Sequence, residues 1–205
     1  MNILLLHGQG RTSNAMRLLG VRLRWLGHHV QYFEYYTRKE KFTDIVVRLI
    51  DTIKSTFSHN EPYVIVGHSM GGLLARASLP ALEDHLPLHL VLLASPSRPP
   101  LLAPRAARSR IYRRITTDCG QQVANPEFYK DLPKPTIPTT IIAGSGGPRS
   151  RWLPYGYEVN DGVMSVQETY LGPEYEVIQV PCIHTFIMNS RQTLHHIEHI
   201  LQQFN

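Results

Sequence analysis

The chain has few of the features that mark secreted or membrane-spanning proteins. It contains only two cysteines in 205 residues, which favours free thiols in a reducing compartment over a disulfide framework. No apolar run approaches the roughly 18 residues that a membrane-spanning helix needs. The sequence enters a strand-like stretch at once, without a basic segment followed by a long apolar one, so no secretory signal is expected. These absences predict a cytoplasmic protein with no integral membrane segment.

Composition and charge exclude further classes. Apolar residues make up 42% of the chain and charged residues 18%, as in globular domains, and there is no internal repeat or low-complexity tail. The net charge is +5, but no aromatic interleaving and no known binding module accompany the arginines, so nucleic acid is not expected as a partner. The length suits one compact unit, and we predict a single domain over residues 1–205.

The most informative motif is a G-x-S-x-G pentapeptide, Gly67-His68-Ser69-Met70-Gly71. It follows a β-type run at 63–66 and precedes a helix-competent run at 73–77, the context in which this pattern forms a nucleophile elbow. A serine on so sharp a turn needs space on both sides, and Gly67 and Gly71 provide it because they carry no side chain. The motif predicts a nucleophilic Ser69, and the alternative is a tight glycine turn that only packs a helix on a strand.

Residues that could activate such a serine lie downstream of it. A histidine must accept the hydroxyl proton, and a carboxylate must orient that histidine. His184 follows an alternating run at 175–180, which is typical of a last strand, and precedes the predicted final helix, 190–204. Asp161 lies between Ser69 and His184 in an Asn-Asp-Gly tripeptide. That tripeptide can aim a short carboxylate inward, but it also suits an Asx-turn in a surface loop.

These features, in this order, resemble the α/β-hydrolase superfamily, particularly its small bacterial esterases and minimal lipases. The resemblance spans nearly the whole chain and rests on four segments: Leu4-Leu5-Leu6-His7-Gly8, the elbow, Asn160-Asp161-Gly162 and His184. It implies a serine triad of Ser69, Asp161 and His184. It also implies an oxyanion hole formed by the backbone N–H groups of Gln9 and Met70, with His7 and Gly8 in the oxyanion loop.

One feature departs from the pattern of the superfamily. The acid usually lies close to the end of its strand, here 139–143, whereas Asp161 comes well after that strand. The stretch 145–160 would therefore have to be an inserted loop. Glu158 and Glu168 are the nearby alternatives, and Glu168 follows a pattern that suggests a helix leading away from the site. Asp161 is favoured because it combines a turn with a short side chain.

Strand and helix patterns alternate along the whole chain. Near-continuous apolar runs are typical of parallel strands that are covered on both faces, and they are separated by helical periodicities. This alternation predicts an α/β fold, a doubly wound and mostly parallel sheet of about six strands. The candidate strands are Asn2–Leu6, Val30–Tyr35, Tyr63–Val66, His89–Ala94, Thr139–Ala143 and Tyr175–Pro181.

The alternation of strand and helix patterns is interrupted at residues 95–138, which are rich in proline and arginine. This is where α/β-hydrolases insert a cap over the active site, so the resemblance implies a small cap here, with helical candidates at 106–115 and 125–132. Six arginines fall within 98–114, with no acidic residue between them. A solvated basic face accounts for them, and so does a positive rim that weakly attracts anionic substrates, acyl carriers or acidic lipid surfaces.

Two further patterns do not predict sites. The segment 8–13 nearly matches the glycine-rich loop of dinucleotide-binding proteins but lacks the third glycine. Residues 195–199 match H-x-x-E-H, a zinc-peptidase pattern, at the end of the chain with no further helix to supply a third ligand. They are interpreted as the polar face of a helix, and no metal site is predicted.

The sequence therefore predicts a serine hydrolase that cleaves a carboxylic ester or thioester through an acyl-enzyme, without metal or cofactor. The expected partner is a small acyl substrate. Two alternatives stay open: an acyltransferase that uses the same triad, and a non-catalytic binding protein that kept the fold. Substrate identity is not expected to be readable, because specificity depends on the shape of the cap and pocket.

Overall fold

The centre of the protein is one sheet of six parallel strands. The computed structural model describes residues 1–204, apart from the side chain of residue 115, so Asn205 of the predicted domain lies outside the described residues. The strand order is β2-β1-β3-β4-β5-β6, which confirms the doubly wound α/β prediction. The strands are β1 (Asn2–Leu6), β2 (His29–Phe33), β3 (Tyr63–His68), β4 (His89–Leu93), β5 (Thr139–Gly144) and β6 (Glu176–Val180).

A helix separates most consecutive strands, the segment between β4 and β5 holds three helices, and the described connection from β5 to β6 contains only a 3₁₀ turn at Val166–Thr169. Among the described residues the helices are α1 (Arg17–Trp25), α2 (Phe42–Thr56), α3 (Met70–Ser78), α4 (Ala103–Ala107), α5 (Arg110–Ala124), α6 (Pro126–Asp131) and α7 (Arg191–Gln202). The helical candidate predicted at 106–115 is in fact divided between α4 and α5. No helix in residues 1–204 is long and apolar enough to cross a membrane.

The inner strands β1, β3, β4 and β5 owe their apolar character to burial on both faces, whereas the edge strands β2 and β6 are partly exposed. In β1, Leu4 and Leu6 pack into a core shared with α2 and α3, whereas Ile3 and Leu5 pack into the opposite core with α1 and α7. Since side chains alternate across a strand, a strand covered on both sides must be apolar at every position. The same division recurs in β3 and β4, so the two cores hold the sheet between two helical layers.

The order of the strands places a crevice beside β1. The chain leaves β1 to form β2 on one side and then returns to form β3 on the other, with Leu6 of β1 in register with Gly67 of β3. In open α/β sheets, ligands bind at such a switch point, outside the carboxyl ends of the strands. The loop after β1 and the turn after β3 both open into this crevice, and these are the two segments predicted to bind the reacting atoms.

The start of α3 lies unusually close to the end of β1. A Cβ atom built on Gly71 would lie 2.6 Å from the carbonyl oxygen of Leu6, and one built on Gly67 would lie 2.7 Å from the backbone nitrogen of Gly72. Both neighbours are backbone atoms, which cannot move aside without displacing an element. Glycine at these positions therefore allows the helix to begin directly against the strand.

Replacing Gly71 by alanine tests this close approach. Gly71 has no positive φ, so helix propensity alone predicts that Gly71→Ala stabilises the protein by about 1 kcal/mol. We expect the collision with Leu6 to reverse the sign and to lower the free energy of unfolding by about 1–3 kcal/mol. Urea titration measures the difference, with Ser55→Ala on the exposed face of α2 as a control that should be nearly neutral. A gain in stability for Gly71→Ala would contradict the packing.

Candidate active site

Ser69 occupies the turn between β3 and α3. Its backbone has φ 53° and ψ −119°, a positive φ that residues other than glycine rarely adopt. Strained backbone of this kind is retained where the surrounding structure enforces it, and it is enriched at functional sites. The strain holds the partly exposed Ser69 hydroxyl at the carboxyl edge of the sheet, next to the unpaired N–H groups of the first turn of α3.

His184 lies in the turn between β6 and α7 and faces this serine. Its Nε2 atom is 3.1 Å from the Ser69 Oγ, and its Nδ1 atom is 2.7 Å from Oδ2 of Asp161. A carboxylate can only accept a hydrogen bond, so Nδ1 is the protonated nitrogen and Nε2 of the neutral ring is the acceptor. This tautomer directs the basic nitrogen at the serine hydroxyl.

Asp161 is buried and held from two sides. Its second carboxylate oxygen, Oδ1, accepts hydrogen bonds from the backbone N–H groups of Val163 and Met164 at 2.9 and 2.8 Å. Its carbonyl oxygen accepts a bond from the His184 N–H at 2.9 Å. Asp161 therefore forms the Asx-type turn that its tripeptide suggested, and the same turn directs the other oxygen at the histidine.

The long segment between β5 and Asp161 leaves the sheet and returns to it. The Gly147 N–H donates to the Asn160 carbonyl at 2.8 Å, which closes the base of the loop formed by residues 148–159. A Cβ atom on Gly144, the last residue of β5, would lie 2.7 Å from the Cβ of Asp161. Asp161 is thus distant from β5 in sequence but adjacent to its carboxyl end in space. Glu158 is exposed and lies within the loop.

Gln9 and Met70 present backbone N–H groups on either side of the crevice. Among the described residues the Gln9 N–H donates to no other group, and Met70 is the first residue of α3, where N–H groups have no partner within the helix. The loop that carries Gln9 is fixed by the next residue, because the Gly10 N–H donates to the Thr37 hydroxyl at 3.0 Å. Two N–H groups are therefore free to bind an anionic oxygen.

His7 supports the loop from below. Its ring is buried, stacks on Tyr35 at 3.8 Å between centroids, and lies 2.9 Å from the Gly8 carbonyl through Nδ1. The Tyr35 hydroxyl donates to the His7 carbonyl. Burial lowers the pKa of His7 and raises the pKa of Tyr35, so both side chains are neutral near pH 7. The predicted strand 30–35 ends at Phe33, which frees Tyr35 for this role.

His68 links the elbow to the turn that carries His184. Its Nε2 atom lies 3.1 Å from the His184 carbonyl oxygen. Because a carbonyl only accepts, Nε2 is the donor. Burial, and to a smaller degree the neighbouring His184, hold the pKa of His68 well below its usual value. His68 is therefore a neutral donor that ties together two segments at the carboxyl edge of the sheet, a role that its place in the motif alone did not indicate.

A mainly apolar cavity of about 190 Å³ opens beside Ser69. One side is formed by the elbow and the oxyanion loop, and another by α4 and α5 from the segment 95–138. The lining residues are Gln9, Ser69, Met70, Pro96, Pro100, Leu102, Ala103, Ala106, Tyr112, Val123, Val163 and Met164. Ser69 itself contributes to the lining, and few polar groups lie inside the cavity.

Glu168 is a buried residue whose place differs from the sequence prediction. No helix leads away from the site here; residues Val166–Thr169 form a single 3₁₀ turn. One Glu168 carboxylate oxygen accepts from the Ser165 N–H at 2.7 Å and the other from the Leu101 N–H at 2.6 Å. Glu168 therefore fastens the segment that starts the predicted cap to the loop of Asp161. The Ser-x-x-Glu spacing at 165–168 is the signal that could have revealed it.

The histidine-rich C-terminus lies on α7, away from these groups. His195, His196 and His199 share that helix, and within residues 1–204 no three or more His, Cys, Asp or Glu side chains are grouped to hold a metal ion. Both cysteines, Cys119 and Cys182, are free thiols. His195 and His199 are exposed on α7, in agreement with the interpretation of residues 195–199 as the polar face of a helix.

The model of the alpha/beta hydrolase family matches residues 3–203. That span covers nearly the whole sequence, so the chain belongs to the alpha/beta hydrolase family. The sequence-based resemblance is confirmed. No curated protein is significantly similar to the chain.

Solved structures of the same fold are similar over most of their length. A mature lipase from Bacillus licheniformis has a TM-score of 0.73 at 15% identity and covers 98% of this chain and 91% of its own. A lipase-esterase related protein from Clostridium acetobutylicum has a TM-score of 0.66 at 12% identity, with coverages of 97% and 93%. A thioesterase domain from the curacin biosynthetic pathway has a TM-score of 0.63 at 14% identity, with coverages of 96% and 89%. At these identities the similarity establishes the fold.

The buried His68 should make stability depend on pH. Its pKa is lowered in the folded state, so below its unfolded value of 6.5 the unfolded chain takes up a proton that the folded chain does not. Stability should therefore fall as the pH drops below 6.5, by about 1.4 kcal/mol per pH unit for this group. His68→Gln keeps a donor for the His184 carbonyl but cannot titrate.

Urea unfolding at pH 7.5 and 5.5 checks this expectation. The wild-type protein should lose about 1.4 kcal/mol more stability between the two values than His68→Gln does. Other buried histidines with lowered pKa, such as His7 and His89, act equally in both proteins and cancel in the comparison. Equal losses in the two proteins would show that His68 titrates normally when folded.

Proposed function

We propose that this protein is a serine hydrolase that cleaves a carboxylic ester or thioester through an acyl-enzyme. The observation that carries the proposal is the continuous hydrogen-bonded row from Ser69 through His184 to Asp161, at 3.1 and 2.7 Å. This is the arrangement that a neutral hydroxyl needs to become a nucleophile. Membership of the alpha/beta hydrolase family supports it independently.

In the proposed reaction Ser69 attacks the substrate carbonyl while His184 takes the hydroxyl proton on Nε2. The resulting imidazolium is stabilised by Asp161, and it then returns the proton to the departing alcohol or thiol. Water then attacks the acyl group while the same nitrogen takes its proton, and the acyl–Oγ bond breaks as that proton returns to Ser69, which releases the carboxylic acid product and restores the enzyme. The geometry supports this order because one nitrogen faces the serine while the other is held by the carboxylate.

The negative charge that develops on the substrate oxygen needs donors in fixed positions. The free N–H groups of Gln9 and Met70 serve this purpose in the proposal, and the amino end of α3 adds a favourable dipole. Both donors belong to backbone that is held independently of substrate, through Thr37 beneath the oxyanion loop and through the glycines of the elbow. Little reorganisation is then needed as the charge forms.

We further propose that residues 95–138 act as a cap that shapes the acyl site. Leu102, Ala106 and Tyr112 of this segment line the cavity beside Ser69. A volume of about 190 Å³ is below the roughly 300–1,000 Å³ of sites that enclose drug-sized ligands. The cavity therefore suits an acyl group of modest size, with the remainder of a larger substrate outside the mouth.

Ser69→Ala tests the proposed nucleophile. The variant should fold normally by circular dichroism and lose turnover of chromogenic esters and thioesters by roughly five orders of magnitude or more. Product analysis of the wild type with added alcohol should show mainly free carboxylate. Retained turnover in Ser69→Ala would refute the proposal, and dominant transfer to the alcohol would make the protein an acyltransferase.

Asp161→Asn tests the third member of the row. The carbonyl oxygen of the introduced amide would keep the two bonds from Val163 and Met164, so the amide NH₂ would face His184. A donor there forces the hydrogen onto Nε2, and the ring can no longer accept the Ser69 proton. We expect kcat to fall by roughly 10⁴-fold with a small change in KM.

The matched control is Glu158→Gln, which removes an exposed carboxylate from the adjoining loop. It should leave kcat within about two-fold of wild type, since surface substitutions are usually small perturbations. The reverse result, a severe loss for Glu158→Gln and a mild one for Asp161→Asn, would transfer the orienting role to Glu158.

A further inference from the structure

The loop that closes on Gly147 and Asn160 carries large apolar side chains on its outer surface. Trp152 is 79% exposed and Tyr157 is 74% exposed, with Leu153 beside them at 39%. Tyr155, in the middle of the same loop, is buried, and its hydroxyl donates to the Val163 carbonyl at 2.6 Å. The loop is thus anchored from inside, and its exposed side chains are not an effect of loose packing. We call Trp152, Leu153 and Tyr157 the apolar tip.

A second exposed group lies on the segment that forms another wall of the cavity. Six arginines there are all exposed, and within the described residues none of them forms an ion pair or a side-chain hydrogen bond. Ile111 stands among them at 72% exposure. We call these arginines the basic rim: Arg98, Arg105, Arg108, Arg110, Arg113 and Arg114.

Both groups lie on segments whose neighbouring residues line the same cavity. Val163, whose carbonyl accepts the hydrogen bond from Tyr155, lines the cavity and is 42% exposed. Tyr112, which lies between arginines of the basic rim in the sequence, also lines the cavity. Phe186, two residues after His184, is 53% exposed. Exposed apolar side chains and unpaired positive charges therefore occur together on the segments that flank this cavity, whereas scattered apolar residues would be ordinary on any surface.

We propose that this edge of the protein docks on an anionic lipid surface, with the apolar tip inserted among the headgroups and the basic rim against the lipid phosphates. Trp and Tyr are the side chains that favour the membrane–water boundary, since they combine an apolar body with a polar group. Each arginine near an anionic lipid surface adds its own electrostatic attraction between the protein and that surface. The Arg151 guanidinium over the Trp152 ring, 4.4 Å from its centroid, brings both properties together.

The combination of charged and apolar side chains fits a lipid surface better than a protein partner. A protein partner would need carboxylates opposite six arginines and would cover Trp152 in a fixed pocket, whereas a headgroup layer offers dense negative charge above an apolar interior. Docking would hold the cavity mouth against the layer in which ester-bearing amphiphiles reside. The proposal extends the proposed function but does not require it, because binding can be measured without turnover.

The chain contains only two tryptophans, which provides a matched test. Trp152 lies in the apolar tip, whereas Trp25 ends α1 and is 85% exposed, at the opposite edge of the sheet, where β2 begins. Two single-tryptophan proteins, Trp25→Phe and Trp152→Phe, are prepared with Ser69→Ala, so that hydrolysis cannot alter the lipid. Each is mixed with vesicles of phosphatidylcholine alone or with about one third phosphatidylglycerol, and fluorescence and co-sedimentation are measured.

The proposal predicts binding to the anionic vesicles, with a blue shift of the Trp152 emission and none of the Trp25 emission. Binding should weaken strongly in about 0.5 M salt, because exposed charges are screened. Replacing Arg110, Arg113 and Arg114 with glutamine should weaken binding to the anionic vesicles by at least roughly ten-fold. The control removes the same charge at lysines that do not line the cavity, as Lys54→Gln, Lys130→Gln and Lys134→Gln, and should change binding by less than about three-fold.

Several results would overturn the proposal. An unshifted Trp152 on bound vesicles would exclude insertion of the apolar tip, and equal losses for the arginine and lysine variants would exclude the basic rim. Equal binding to phosphatidylcholine alone would remove the charge argument. An RNA oligonucleotide that binds through the same arginines, without any vesicle binding, would assign the rim to nucleic acid instead. Loss of turnover in any variant has no bearing on these outcomes.

Discussion

The close approach of α3 to the end of β1 is the contact on which the site depends. Because Gly71 lies against the Leu6 carbonyl, the helix starts immediately after Ser69, and the serine is forced into its positive-φ turn. The same contact brings the free N–H groups at the start of α3 next to the loop that follows β1. The position of Ser69, its backbone strain and the placement of the free N–H groups thus have one steric cause. A side chain at position 71 would disturb all three together.

A second constraint fixes the histidine in front of that serine. Asp161 holds the ring of His184 through Oδ2 and its backbone through the Asp161 carbonyl, while His68 binds the His184 carbonyl from the elbow. The three predicted catalytic segments are therefore connected directly, although more than 110 residues separate Ser69 from His184. Burial keeps His68 neutral by lowering its pKa, which preserves its donor role and avoids a second positive charge beside the imidazolium that forms during the proposed reaction.

Much of the fold was predictable from the sequence. The four inner strands are buried on both faces and therefore largely apolar, and the runs of the two partly exposed edge strands were also recognisable. Boundaries were less predictable: the strand expected to reach Tyr35 ends at Phe33, and Tyr35 stacks on His7 instead. Around the site, the order of the motifs predicted which residues could meet. It could not show how a loop returns Asp161 to the end of β5, because that depends on the bond between Gly147 and Asn160. The Ser-x-x-Glu spacing indicates the bond between Glu168 and Ser165, but no pattern in the sequence indicates the second bond, to Leu101 in a distant segment.

The central claim is that Ser69 is a nucleophile activated by the row of His184 and Asp161, and covalent trapping tests it most directly. The protein is treated with a fluorophosphonate, and the adduct is mapped by mass spectrometry of intact protein and peptides. We predict one adduct, on the peptide containing Ser69, absent in Ser69→Ala and formed far more slowly in His184→Ala. No adduct on native protein, an adduct on another residue, or labelling of Ser69 that is independent of His184 would contradict the claim.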